Sequence, residues 1–336
     1  MKYMTEEIVK AENLRKWFPI KMGFFKTVLS KDRLYVRAVD GISFNIKKAE
    51  IFGLAGESGS GKTTTGRLVL RLIEATAGKV YFMGKEITSL EDNLMRPLRR
   101  YMQIIFQDPY ESLNPRMTID AIIAEPVKLL KKDVTPEEVD NTVSQMLEDV
   151  EMTPPEEFLK RYPHELSGGQ RQRIAVARAF SVNPEFVVAD EPVSMLDVSI
   201  RAEILNLMAA LVKKYKTSFL YITHDLALAR HVCDRLAIMY LGKIMEMGDT
   251  EKIVYEPLHP YTKALIKAVP EPDPTARRVE TVLKGEIPSP INMPAGCRFH
   301  TRCPSFIGEI CRTKEPELID VGDEHYVACH LHSKGK

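Results

Sequence analysis

The apolar and polar pattern opens with short runs rich in β-branched and aromatic residues. LYVRAV (34–39), ISFNI (42–46) and IFGLA (51–55) have the length of strands, and the third runs straight into a glycine loop followed by TTGRLVLRLIE, which reads as a helix. A further apolar run, QIIF (103–106), precedes the turn-rich QDPYESLNPRMT. From there the period becomes helical. Thr135 and Glu138 form a capping box with Pro136 at the first helical position, and Val139, Val143, Met146, Leu147 and Val150 then fall on one face. Strands return as FVVA (186–189), SFLYI (218–222), RLAIMY (235–240) and KIMEM (243–247), separated by helix-length segments. This alternation predicts an α/β fold, a mostly parallel sheet wrapped by helices, with an all-helical insertion over about 107–180. From about Glu256 the chain is punctuated by proline (EPLHPY, VPEPDPT, EIPSPINMPAG), which predicts a small extension tethered by extended linkers.

Composition narrows the function classes. With 336 residues, 44% of them hydrophobic, the chain can bury one large core or two modest ones. A formal net charge of +1 gives no bulk field toward nucleic acid or acidic lipid, so no nucleic-acid partner is expected. No stretch approaches the roughly 18–20 apolar residues of a membrane helix, and MKYMTEEIVKAENL lacks the layout of a signal peptide, so a soluble cytosolic chain is expected. Of five cysteines, Cys233 stands apart, while Cys297, Cys303, Cys311 and Cys329 crowd the C-terminal part. In a cytosolic setting such crowding suggests metal ligation more than disulfides.

Two glycine-bearing stretches carry phosphate chemistry. Gly56–Thr63 fits G-x-x-x-x-G-K-[ST]: glycines let backbone N–H groups face phosphate oxygens, Lys62 neutralises β/γ charge and the Thr63 hydroxyl binds Mg²⁺. FVVADEP ends a buried strand in Asp190 and Glu191; either the pair caps a neighbouring helix or it meets a cation and a water. Asp190 then serves Mg²⁺ and Glu191 positions the attacking water. Gln107 follows a strand and opens the insertion, where it could touch Mg²⁺ or water. His224 ends SFLYIT, where it could donate to a γ-phosphate. The second stretch, LSGGQRQR (166–173), precedes the apolar helix RIAVARAF, whose N-terminal dipole favours an anion; a plain glycine-containing helix cap satisfies the same residues.

In this order the motifs resemble the ATP-binding subunit of an ABC transporter: Walker A at 56–63, Q-loop Gln107, signature LSGGQ at 166–170, Walker B ending in Asp190 and Glu191, D-loop SMLD at 194–197, and H-loop His224. The resemblance implies a P-loop NTPase core, a mixed sheet with flanking helices and an antiparallel β subdomain, over about 1–255, with the helical insertion at about 107–180 and a cysteine-containing extension at 256–336. It implies ATP and Mg²⁺ as cofactors. Nucleotide contacts are expected from Phe18 (stacking on adenine), Gly56, Glu57, Ser58, Gly59, Ser60, Gly61, Lys62, Thr63, Thr64 and Asp190. The partner's nucleotide is expected to meet Ser167, Gly168, Gly169, Gln170 and Asp197, because two cassettes pair head to tail. Glu191 as base, His224 and Gln107 complete the catalytic set, with Thr63, Gln107 and Asp190 around Mg²⁺.

FQDPYESLNPRMT, DEPVSMLDVSI, HPYTKAL and the cysteine tail resemble the oligopeptide/dipeptide importer branch, whose members also carry nickel or oligosaccharides. That branch implies a second ATPase subunit, two integral membrane permease subunits and an extracytoplasmic solute-binding protein, with this chain peripheral on the cytoplasmic face of the membrane. The insert KMGFFKTVLSKDRLY (21–35) resembles the second of the branch's two ATPase types. Similar tails carry a four-iron four-sulfur cluster; C-x5-C-x7-C-x17-C does not match common zinc modules, and cluster, zinc and free thiols all stay open. Met195 stands where the family usually has alanine and Ala49 where it usually has glycine, and neither removes a chemical group. A soluble ABC ATPase without a transport role is the competing expectation; it would show a long coiled coil or a second cassette, and the sequence has neither.

Overall fold

The computed structural model describes residues 7–20, 34–131, 133–268 and 285–333. Strand β1 (Glu7–Pro19) lies where the pattern marks no strand. Only Ile8, Val9, Ala11 and Leu14 of it are buried, and the charged residues between them hide the period. The runs at 34–39 and 42–46 are one strand, β2 (Tyr35–Lys47), which passes through Gly41 at φ +78. β3 (Ile51–Ala55) feeds the glycine loop and α1 (Lys62–Val69). That helix is shorter than its sequence predicts because Arg71, the first residue of RLIE, turns the chain at φ +50. β4 (Ala77–Phe82) and β5 (Lys85–Glu86) follow.

After α2 (Asp92–Met95) and β6 (Met102–Ile105) come α3 (Pro109–Ser112), α4 (Ile119–Leu130), α5 (Pro136–Asp149) and α6 (Gly168–Phe180). The expected cap on α5 is present: Thr135 Oγ1 accepts from Glu138 N (3.2 Å) and Glu138 Oε2 accepts from Thr135 N (2.8 Å). Next stand β7 (Phe186–Asp190), α7 (Val198–Tyr215) and β8 (Ser218–Thr223). The remainder holds α8 (Leu226–Val232), β9 (Arg235–Tyr240), β10 (Lys243–Asp249), α9 (Thr250–Tyr255), α10 (Pro260–Lys267), α11 (Glu309–Thr313), β11 (Ile319–Asp320) and β12 (Tyr326–Val327). Most of the insert that resembles the second ATPase type, residues 21–33, lies outside the described residues.

The chain packs as two units. The first comprises Met1–Val9, Asn45–Ile51 and Tyr81–Ile222. Within it β6, β7 and β8 run parallel, with Ile104 opposite Val188 and Val188 opposite Leu220. Every residue of β7 is buried, the mark of a strand covered on both faces. α4, α5 and α6 pack on one another through Ile119, Ile123, Val127, Val143, Leu147 and Ile174, each worth about 1.5–3 kcal/mol of burial.

The second unit comprises Lys10–Phe44, Phe52–Val80 and Thr223–Lys336. Here β2, β1 and β4 lie side by side. β3 runs parallel to β9, whereas β9 and β10 form an antiparallel hairpin, so this sheet is mixed, as the resemblance implies. The reversal is local: Leu241 and Gly242, both at positive φ, make the two-residue turn that such hairpins favour. The C-terminal segment joins the same sheet, β12 pairing with β10 (Tyr326 opposite Met247) and with β11. Phe299 is fully buried, its ring 5.4 Å from Tyr240 and 5.2 Å from Tyr261. Among the described residues no helix is long and apolar enough to cross a membrane.

Candidate functional site

The phosphate loop belongs to the second unit, and its backbone is what the glycines make possible. Gly56 (φ +152) and Gly61 (φ +107) hold left-handed or extended-positive conformations, and a Cβ at either would stand 2.1 Å from a carbonyl oxygen, of Met239 or of Ala38. Gly61 N-caps α1 without any side chain of its own, so no capping side chain takes up the first amides of α1, and with the helix dipole they form an anion site. Lys62 is buried and its Nζ curls back to donate to Gly56 O (2.8 Å) and Glu57 O (3.0 Å), across the mouth of the loop. Ser60 ties the loop to the β9–β10 turn, its carbonyl accepting from Gly242 N (2.8 Å). Its Oγ is buried and unpartnered. Ser58 and Gly59 are exposed, and Thr63 and Thr64 half-buried. This donor set suits a polyphosphate and its Mg²⁺.

Phe18, in the same unit, is exposed at the end of β1 with Lys16 Nζ 5.1 Å over its ring. Its neighbour Trp17 is committed elsewhere, donating to Asp40 Oδ1 (3.0 Å) under the Arg37 guanidinium (4.7 Å), which leaves Phe18 the freer ring. His224 is exposed just beyond β8; Thr223 and Asp225 around it form the cap of α8.

The acids and the second glycine stretch belong to the first unit. Asp190 is buried at the end of β7. Glu191 sits at φ +46, its N–H donating to Ile222 O (2.9 Å) and its carbonyl accepting from Ser194 Oγ (3.0 Å). Such a conformation costs a non-glycine residue about 1–3 kcal/mol, a strain that concentrates at functional sites. The N-cap position of α7 belongs to Asp197, which makes no side-chain cap bond. Arg201 braces the turn between Glu191 and Asp197, donating to Leu196 O (2.8 Å) and Ser194 O (3.3 Å). Met195 and Val198 stand out into solvent, 65% and 79% exposed. Gln107 is exposed between β6 and α3.

Ser167 is the N-cap of α6. Its Oγ accepts from Gln170 N (3.3 Å), and Gln170 Oε1 accepts from Ser167 N (3.0 Å), a capping box written as SGGQ. Gly169 packs closely on α7, since a Cβ would meet Ile200 Cγ2 at 2.8 Å and force that side chain to shift.

In the C-terminal segment Cys297, Cys311 and Cys329 are buried and Cys303 half-buried. Burial, followed by mutual repulsion, pushes the Cys297 thiol up to about 12 and raises those of Cys303 and Cys329. The four therefore lie in one neighbourhood. No group of three or more His, Cys, Asp or Glu side chains among the described residues is arranged to hold a metal ion.

Residues 39–194 match the family model described as ABC transporter, and residues 245–311 match that of the oligopeptide/dipeptide transporter C-terminal region. The oligopeptide transport ATP-binding protein AppF of Bacillus subtilis is 46% identical over 331 residues, 98% of each chain. The chain belongs to the ABC transporter ATP-binding proteins. Solved structures place this ABC ATPase with the cassette MJ0796. A dimeric post-hydrolysis state of that protein with ADP and Pi is 28% identical at TM-score 0.61, and a second dimeric structure 27% at 0.62; each match covers 72% of this chain and 98% of the other. Sequence reasoning missed the contacts that the ABC ATPase makes from its C-terminal segment to the phosphate loop: Tyr261 Oη accepts from Glu57 N (3.0 Å), and Arg302 grips the Glu57 carboxylate. HPYTKAL and the arginines beside the cysteines were the available signals.

Proposed function

We propose that this ABC ATPase energises the import of peptides, as the peripheral subunit on the cytoplasmic face of a membrane transporter. The observation that carries the reading is the phosphate loop: two glycine positions that exclude any Cβ, a helix α1 opened by Gly61, and the buried Lys62. ATP binds there with Phe18 on its adenine, and residues 56–64 on its phosphates. Thr63, Gln107 and Asp190 would hold Mg²⁺, which would polarise the phosphate oxygens. Glu191 takes a proton from the water that attacks the γ-phosphate in line, His224 contacts that phosphate, and Lys62 absorbs developing charge, which a bound Mg²⁺ would share.

The two motifs answer different nucleotides. Ser167, the amides of Gly168 and Gly169, Gln170 and Asp197 serve the ATP of a second ATPase subunit paired head to tail. Exposed Ser167, Met195 and Val198 support such a seam, and MJ0796 is dimeric in both of its structures. A cavity of about 250 Å³ beside Gln107, lined by Phe106, Leu113, Leu129 and Ala175, supports docking of an apolar helix from a permease subunit. Two permease subunits and an extracytoplasmic binding protein complete the transporter, with the nucleotide-binding part over about 1–255 and the extension over 256–336. Peptide as cargo is supported by AppF, whose name is that of an oligopeptide transport protein.

The four cysteines would hold a four-iron four-sulfur cluster in a structural role. Four soft thiols, three of them buried, suit that group in chemistry, although their side chains do not stand at metal-holding geometry. Anaerobically purified protein is expected to contain about four irons and four sulfides per chain with broad visible absorption; iron-free protein would exclude it. For the main reading, Glu191→Gln is expected to abolish turnover while ATP-bound dimers accumulate on gel filtration. Hydrolysis at the wild-type rate would remove Glu191 as the base, and loss of Lys62 without loss of ATP binding would remove the site.

A further inference from the structure

The segment Cys297–Cys303, CRFHTRC, carries two arginines four residues apart, and both leave the C-terminal segment to reach the nucleotide-facing part of the same unit. Arg302 makes a two-pronged pair with Glu57, the first residue after Gly56: NH1 to Oε2 at 2.8 Å and NH2 to Oε1 at 3.2 Å. This geometry is what a guanidinium does and an ammonium cannot. The side chain of Arg302 is only 7% exposed, and the pair is closed on one side by Tyr240 Oη, 3.4 Å from Arg302 NH1. The Glu57 backbone is held as well: its N–H donates to Tyr261 Oη, and its carbonyl accepts from Lys62 Nζ. Arg298, 5% exposed at its side chain, pairs with Asp40 and donates to Leu241 O. Asp40 in turn accepts from Trp17, the neighbour of Phe18, and its N–H donates to Gly242 O, whose residue bonds Ser60.

Taking a charged pair largely out of water is costly unless its geometry is good and further hydrogen bonds complete it, as the Tyr240 and Leu241 contacts do here. Each pair here ends on a residue that fixes the phosphate loop or the strand end beside the adenine-stacking ring. We infer that Arg302 is a positioning residue for ATP: acting through Glu57, it holds the loop so that Lys62 and the α1 amides are aligned before the nucleotide arrives, and Arg298 seconds it through Asp40. The C-terminal segment thereby sets affinity for ATP from outside the nucleotide site. A loop left to find its conformation on binding loses affinity while the chemistry of the bound state is retained.

The inference rests on the phosphate-loop reading above, and one set of variants of the full chain separates the two. ATP affinity is measured by equilibrium binding, and KM and kcat in the assembled transporter, with the thermal midpoint of each variant as a control. Lys62→Ala is expected to abolish ATP binding; unaltered binding would sink the site and the inference together. Arg302→Met is expected to raise Kd and KM for ATP about tenfold with kcat changed less than twofold, and Arg302→Lys to recover part of the loss, because one prong remains. Glu57→Gln, which keeps the volume and leaves the C-terminal segment untouched, is expected to give a similar rise. The double variant is expected to be no worse than either single one, since both break one link. With Lys62 required, a Kd for Arg302→Met or Glu57→Gln within twofold of wild type would overturn the inference. So would effects that multiply in the double variant. Should Arg302→Met fail to fold, the Kd values of Glu57→Gln and Tyr261→Phe decide the question by the same twofold criterion.

Discussion

His259 offers a pH test of the unit that holds the phosphate loop. It N-caps α10, its Nδ1 accepting from Tyr261 N (3.0 Å), so the single proton of the neutral ring sits on Nε2. The ring is wholly buried beside Phe299. Burial drives its pKa down to about 4; Glu246 opposes this, while His332 and Lys263 add to it. In the unfolded chain the same imidazole takes up a proton near 6.5. Between those values the unfolded state binds more protons. Stability is therefore full above about pH 6.5, falls as the pH drops toward 4, and levels off below that. Integrated from pH 7.5 to 5.0, the loss is about 2 kcal/mol, and about 3 kcal/mol in full. His259→Asn keeps an acceptor at a position where asparagine caps well and removes the titration. The variant is expected to be less stable at pH 7.5, having lost the packing on Phe299, yet to lose about 2 kcal/mol less than wild type on going to pH 5.0. Denaturant unfolding followed by Trp17, the single tryptophan, reports on this unit directly. Equal losses in the two proteins would refute a buried neutral His259.

The glycines divide by what surrounds them: Gly61→Ala meets the Ala38 carbonyl at 2.1 Å and is expected to abolish ATP binding and cost several kcal/mol, whereas Gly59→Ala meets nothing within 4 Å and bears only its φ of +76, about 1–2 kcal/mol. Thermal melts and ATP titrations of the two variants check this. Ser167→Ala removes half of the SGGQ box and is expected to cost about 1 kcal/mol in thermal unfolding, with Ser167→Thr restoring most of it. Arg201→Met frees the Leu196 and Ser194 carbonyls and is expected to lower kcat several-fold with KM for ATP within twofold, read from steady-state ATPase assays of the assembled transporter.

What the sequence made legible was local. β7 announced itself as an unbroken apolar run because both of its faces are covered. The cap on α5 was readable because Thr135, Pro136 and Glu138 act within one turn. β1 was not readable, since four buried residues among charged neighbours leave no clean period. The early end of α1 depends on Arg71 entering the left-handed region, which no propensity signals. The site followed the same rule. Lys62, Asp190 and Glu191 are singled out by their immediate sequence surroundings, but Arg302 lies 245 residues from Glu57, and the packing of Phe299 on Tyr240 and Tyr261 and the pairing of β12 with β10 help bring them together.

The second glycine stretch shows why a structural and a functional reading of one motif need not compete. As a cap, Ser167 Oγ accepts the N–H of Gln170, the third amide of α6, and Gln170 returns the bond to Ser167 N. That arrangement uses one lone pair of the hydroxyl and leaves its proton free to donate. The first two amides of α6, from Gly168 and Gly169, have no side-chain acceptor within the box, and they lie where the helix dipole is most positive. An alanine at Gly169 would meet Ile200 Cγ2 at 2.8 Å and displace it, so packing favours a bare backbone there before any ligand is considered. The cap thus orders the helix start and, by the same bonds, presents one hydroxyl proton and two amides to an anion. An alanine cap would lose the Oγ bond and the hydroxyl proton together, so at this helix start the group that stabilises the turn is also one of the outward-facing donors.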